Sequence, residues 1–132
     1  MTLIPETHRD LAQNAEVAIL TTLGPDGAPQ TTAVGYLLDD GVFRISVSSD
    51  KQKLKNLQRT PQVSLFLLDI TNVYRTVEVR GTAEVILDDD YTFAAKIAES
   101  RGRTADDIRK LTPPGEHRYC IAVTPAKINT FG

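Results

Sequence analysis

Short runs of β-branched and aliphatic residues, separated by glycine-bearing turns, fill the first half of the chain. Val17–Leu23 reads as a strand by its β-branched content. Gly24-Pro25-Asp26-Gly27 is a turn signal, and Gln30–Leu38 reads as the second strand of that hairpin. Asp39-Asp40-Gly41 marks a further turn. In Val42–Ser48 the alternation places Phe43, Ile45 and Val47 on one face and Arg44, Ser46 and Ser48 on the other. The period then changes. Ser49 and Asp50 read as a cap for a helix over Lys51–Arg59, with Leu54 and Leu57 as its buried stripe. Pro61 ends that helix. Val63–Leu68 is a near-continuous apolar run, expected as a strand buried on both faces, although the run alone also fits a buried helix. Tyr74–Ile86 reads as a long strand in which Gly81 marks a bulge or a barrel corner. Helices are expected over Tyr91–Glu99, capped by Asp89 or Asp90, and from Thr104 to about Leu111. Arg118–Thr124 is the last predicted strand, with Pro125–Gly132 as a terminal extension. At the other end Pro5–Asn14 reads as a short helix capped by Thr2 or Thr7.

This order implies a mainly β fold with α decoration, a barrel of short antiparallel strands with helices inserted late. The first strands lack the helical crossovers of a parallel doubly wound sheet, and no GxGxxG fingerprint follows any strand. The 132 residues fit one domain, 1–132. A net charge of −2 supplies no global basic field, so nucleic acid is not an expected partner and any anion site must be a local concentration of cations. The single cysteine, Cys120, excludes an internal disulfide. No apolar run approaches the roughly 20 residues that span a bilayer, and Met1–Asp10 lacks a signal-peptide pattern. A cytoplasmic, membrane-free protein is the expectation.

The segment with the most chemistry runs from Ser46 to Leu57, where a strand ending in hydroxyl residues meets a helix opening with lysines. Helix N-termini leave N–H groups unpaired and carry partial positive charge, so serines and lysines there suit a phosphate. The same residues also fit a solvated amphipathic helix whose lysines face water. Asp50 opposes an anion unless its side chain turns away. Elsewhere the signals are weaker. His8 and His117 have no partners at metal-ligand spacing. Cys120 fits a small buried apolar position, and no Ser/His/Asp triad can be assembled. Asp88-Asp89-Asp90 before a helix fits capping and solvation better than a metal.

Order and spacing together carry a family resemblance over about His8–Phe131. It rests on the 17–36 hairpin, on Ser48…Lys51-x-Lys53-x-x-Asn56-Leu57-x-x-x-Pro61-x-Val63-Ser64-Leu65, on Val79-Arg80-Gly81-Thr82-Ala83 and on Pro125-x-Lys127-Ile128. The chain resembles the pyridoxamine 5'-phosphate oxidase-like (PPOX class) split β-barrel proteins, within them the actinobacterial F420-dependent group. The resemblance implies an FMN-binding-type split barrel and an F420-dependent oxidoreductase that transfers a hydride between deazaflavin and a small organic acceptor. FMN is the alternative cofactor, and a non-catalytic F420 carrier the alternative role. It implies a homodimer with cofactor sites at the interface. Ser48, Lys51 and Lys53 match phosphate-binding positions, with Ser46 beside them. Gln30, Thr32 and Val34 match positions near the ring system, and Tyr74 a stretch reaching the partner's site. No catalytic side chain and no metal ligand are implied. Lys55, Arg59 and Arg75 are candidates for the acidic tail of F420. The C-terminal substrate segment of true pyridoxamine phosphate oxidases is not evident, so that activity is not expected.

Overall fold

Every strand of the computed structural model, which describes residues 3–132, joins one seven-stranded sheet. A 3-10 turn over Glu6–His8 leads into α1 (Arg9–Asn14). β1 (Ala18–Leu23), β2 (Pro29–Val34), β3 (Leu37–Asp39) and β4 (Val42–Ser48) follow, then α2 (Gln52–Arg59). β5 (Gln62–Asp69) and β6 (Asn72–Leu87) precede α3 (Thr92–Ser100), α4 (Ala105–Leu111) and β7 (Arg118–Phe131). The spatial order is β2-β1-β5-β6-β7-β4-β3, with every pairing antiparallel. β2 and β3 are thus opposite edges of the sheet, yet only Gly35 and Tyr36 separate them in the chain. The sheet must curl until its edges meet at that corner, and no ladder joins β2 to β3 among the described residues. The result is a split β-barrel, the fold the strand pattern implies.

The alternation in β4 is the one expected, because Phe43, Ile45 and Val47 are buried inside. They meet Leu20, Leu54, Leu65, Leu67, Val77, Val79, Ile121 and Val123 in one core. Each such side chain contributes about 1.5–3 kcal/mol on burial. Helix α3 lies against the other face of β4 and β7, where the Arg44 guanidinium sits 4.8 Å from the Phe93 ring centroid, and α4 packs on α3.

Five local expectations are corrected. Gln30–Leu38 is not one strand: the chain bends at Gly35-Tyr36 and its halves pair with β1 and β4 respectively. The last strand does not stop at Thr124 but runs on to Phe131. A bulge at Arg80/Gly81, where Gly81 faces Pro125 and Arg80 faces Lys127, lets the strand pass a proline that cannot donate to the ladder. Helix α3 is capped chiefly by Asp88, whose carboxylate accepts from Phe93 N at 3.0 Å and Ala94 N at 2.9 Å, while Asp90 accepts from Thr92 N at 3.2 Å. At α2 neither Ser49 nor Asp50 caps: Lys51 holds the N-cap position without a side-chain bond. Of the proposed α1 caps, Thr2 lies outside the described residues and Thr7 bonds His8 Nδ1 at 2.9 Å instead. Helix α4 does open on Thr104, which forms a reciprocal capping box with Asp107.

Candidate functional site

The barrel's split is lined by a groove. Its first arm, about 320 Å³, runs between Val34 and Gly35 on one wall, Ser46 and Ser48 of β4 on its floor, and Lys51, Lys53, Leu111 and Arg118 around it. Its second arm, about 370 Å³, shares Gly35 and Ser46 and continues past Val17, Ile97 and Ile108 to Arg101 and Arg103. The groove therefore has cations at both ends, Lys51, Lys53 and Arg118 near α2 and Arg101 and Arg103 beside α3, with Glu16 also on the second arm.

Of the residues singled out from sequence, Val34, Ser46, Ser48, Lys51 and Lys53 come together here. Lys53 is half-buried at the groove. Burial, and then repulsion from Lys51, lower its pKa below the ordinary lysine value. No carboxylate lies within ion-pair distance of Lys53 among the described residues. Lys51 leans 3.8 Å from Asp50 Oδ2. Asp50 is turned toward Ser48, whose hydroxyl donates to it. That bond and the neighbouring lysines hold the Asp50 carboxyl below its usual range. The proton of Ser48 is thus spent on Asp50, and a bond from Ser48 to a phosphate requires Asp50 to release it. Ser49 serves the frame: it donates to Glu116 and accepts from His117 N at 2.8 Å, tying the end of β4 to the start of β7.

Gln30 and Thr32 do not line the groove. They share a face of β2 with Val34, opposite Thr22 and Leu20 of β1. There Gln30 Oε1 accepts from Asn56 Nδ2 at 3.1 Å, and the same amide donates to Thr22 Oγ1 at 3.1 Å. Gln52 Nε2 closes the set with a 2.8 Å bond to Asn56 Oδ1. Asn56 is fully buried, so this network fixes the rotation of α2 and points its lysines at the groove. Tyr74 is exposed at the far end of β6. Arg75 is no groove residue either: it is held by Asp10 at 2.6 Å, Asp69 at 3.4 Å and Thr7 O at 2.9 Å. Arg59 Nη2 donates to Leu23 O at 3.3 Å.

Three groove arginines, Arg101, Arg103 and Arg118, carried no sequence signal. Arg118 is the first residue of β7 and faces Ser48 across the ladder. Arg103 follows α3 and lines the second arm. Only pairing register and helix placement bring them to the split. His8 Nε2 bonds Phe131 O at 3.1 Å, and His117 pairs with Asp89 at 3.1 Å. Cys120 is buried, with its thiol pKa pushed up by that burial. No cluster of three metal-ligating side chains exists among the described residues, and no helix there is long and apolar enough to cross a membrane.

A split barrel with a cationic corner where β4 meets α2 is the architecture of a defined class of oxidoreductase-like proteins. Residues 4–131 match the family model described as pyridoxamine 5'-phosphate oxidase, and the chain belongs to that family. A solved structure titled F420 Reductase is 29% identical with a TM-score of 0.81, covering 96% of this chain and 98% of its own. A conserved hypothetical protein, Rv2991 from Mycobacterium tuberculosis, is 24% identical with a TM-score of 0.77, covering 98% of this chain and 86% of that one. HutZ, titled a heme storage protein from Vibrio cholerae, has the same fold at 18% identity and a TM-score of 0.74, covering 100% and 96% of the two chains. The fold thus serves proteins of different named roles, and function has to be argued from the groove.

Proposed function

We propose that this chain is an F420-dependent oxidoreductase, active as a homodimer, that passes a hydride between the deazaflavin and a small electron-poor acceptor. The observation that carries the reading is Lys53: a half-buried ammonium beside a second lysine, with no carboxylate partner among the described residues, in a groove floored by Ser46 and Ser48. Two adjacent lysines repel at a cost that a bound anion removes. The 29% identity to a protein titled F420 Reductase, over nearly all of both chains, supports the choice of cofactor. Lys51 and Lys53 would hold the phosphate, and Ser46 would offer a hydroxyl beside it. Val34 and Leu111 present apolar surface along the same arm, which would keep water from the cofactor. Bound there, the reduced deazaflavin supplies the hydride. The protein's work is then to bind, orient and dehydrate, which accords with a groove that gathers cations rather than an acid/base pair.

Titration of the purified protein with F420 and with FMN, read by fluorescence, tests the proposal. Saturable F420 binding with little FMN binding is expected, followed by acceptor reduction when reduced F420 is mixed with nitro- or quinone-type probes. Preference for FMN would replace the cofactor. Tight F420 binding without turnover of any acceptor would make the protein a carrier.

A further inference from the structure

Arg118 is 5% exposed and carries its charge into the wall of the cationic arm. A guanidinium so buried is ordinarily paired with a carboxylate, because an unpaired buried charge is costly. Here every partner is neutral. Nη2 donates to Thr112 Oγ1 at 2.6 Å and to Ile108 O at 3.4 Å, Nε donates to the same Thr112 oxygen at 3.2 Å, and Nη1 reaches Ser46 Oγ at 3.4 Å. None of the ion pairs among the described residues includes it. The C-terminal carbonyls of α4 offset part of the charge. The one long bond toward the groove, to Ser46, leaves Nη1 as the least committed donor.

We propose that Arg118 is the buried counter-charge for the ligand's phosphate, a third cation completing the site of Lys51 and Lys53. The proposal rests on the cofactor reading above and adds a residue to it. Arginine suits the place. Of its planar fork Nη1 is left to donate to a phosphate while Nε and Nη2 hold Thr112 and Ile108. It stays charged when buried, and its charge-assisted bonds are about twice as strong as neutral ones. Fixed by Thr112 and Ile108, the fork is already oriented, so little side-chain entropy is lost when an anion arrives. The two lysines reach the same arm from the start of α2, so the anion would be held from both sides of the split.

The test compares ligands that share a ring and differ in the phosphate: FMN against riboflavin, and F420 against its phosphate-free deazaflavin alcohol. Arg118→Gln should reduce the preference for the phosphorylated member at least about tenfold while the phosphate-free affinity stays within about threefold. An unchanged preference, or equal loss of both affinities, would overturn the proposal, the second result marking Arg118 as only structural. Arg118→Lys guards against misfolding of the glutamine variant. It keeps the charge but loses the fork, and its preference should fall several-fold; no change there also counts against the idea. If wild type binds none of the four ligands, the cofactor reading fails on its own. Inorganic phosphate then decides for Arg118: it should raise the wild-type Tm above that in chloride of equal ionic strength and leave Arg118→Gln unmoved, and no rise in wild type overturns the site.

Discussion

Lys53 pays for its place. Burial and the charge of Lys51 both disfavour its protonated form, so the ammonium opposes folding unless something negative shares the groove. Lys53→Ala should therefore leave the thermal melt unchanged or slightly raised, because no ion pair is lost. The same change should weaken F420 binding about tenfold or more, the worth of one charge-assisted bond. A fluorescence titration beside a circular-dichroism melt separates the two effects, and unchanged affinity would remove Lys53 from the site. At this scale the sequence was legible where chemistry sits in one continuous segment. Ser46, Ser48, Lys51 and Lys53 are neighbours along the chain, so their spacing alone placed them together. Arg118 was not legible, because it reaches Ser48 only through the β4–β7 register. The network of Asn56 was hidden for the same reason: Thr22 and Gln30 lie 34 and 26 residues away. Arg75, a plausible tail ligand by charge, is neutralised by Asp10 and Asp69, partners that only the fold supplies.

Between elements, the barrel depends on the corner that joins β2 to β3. Tyr36 anchors it: the ring is 2% exposed, its hydroxyl donates to Ala12 O at 2.6 Å, and the Arg101 guanidinium lies 5.1 Å from its centroid. Burial raises the phenol pKa from 10.0 to about 12, against a smaller opposing pull from Arg101. Above pH 10 the unfolded chain releases this proton while the folded protein keeps it, so the unfolded state binds fewer protons and stability falls as pH rises toward 12. The loss is on the order of 3 kcal/mol over that window. Urea denaturation across the alkaline range should show it, and Tyr36→Phe should flatten that limb while lowering stability at neutral pH. A limb equally steep in Tyr36→Phe would assign the alkaline loss to other groups. The long β6–β7 ladder depends on Gly81, where a Cβ would stand 2.1 Å from Thr124 O. Gly81→Ala should cost about 3 kcal/mol, the upper range for forced overpacking, seen as a lower denaturation midpoint at constant m-value. Here the sequence showed the bulge, because a glycine inside a β-branched run has few other uses. It did not show that the ladder continues past Pro125, since that depends on Ala126 of β7 bulging out between Pro125 and Lys127, opposite Arg80 and Gly81. Nor did it show the break at Gly35-Tyr36, because the alternation survives the corner and only a change of partner strand ends β2.

For the whole molecule, the uneven covering of the sheet is the fact to explain. Helix α3 shields the outer face of β4 and β7 with α4 packed on it, and α2 packs beside β1 and β6. On the outer face of β5 and β6 and at the far end of β7 the chain exposes Phe66, Tyr74 and Phe131. Register brings them onto one side: Phe66 faces Glu78, and Thr76, two residues from Tyr74 along β6, faces Phe131. Ile70 and Val73 extend the apolar surface around the hairpin tip. Water-facing aromatics on a bare sheet face are the usual mark of an interface, and a net charge of −2 offers little repulsion between copies. The homodimer proposed above would bury this face and carry Tyr74 toward the partner's groove. Replacing Tyr74 and Phe131 together by glutamate places like charges across any such two-fold contact, while both positions are exposed enough to keep the monomer folded. Sedimentation velocity should then show a dimer for the wild type and a monomer for the double variant, with native circular dichroism in both. If Tyr74 helps to complete the partner's site, F420 affinity falls with the dimer, and adding F420 to the wild type at low concentration drives association. A double variant that stays dimeric places the interface elsewhere on the barrel. One that becomes monomeric with undiminished F420 binding makes each groove complete within its own chain.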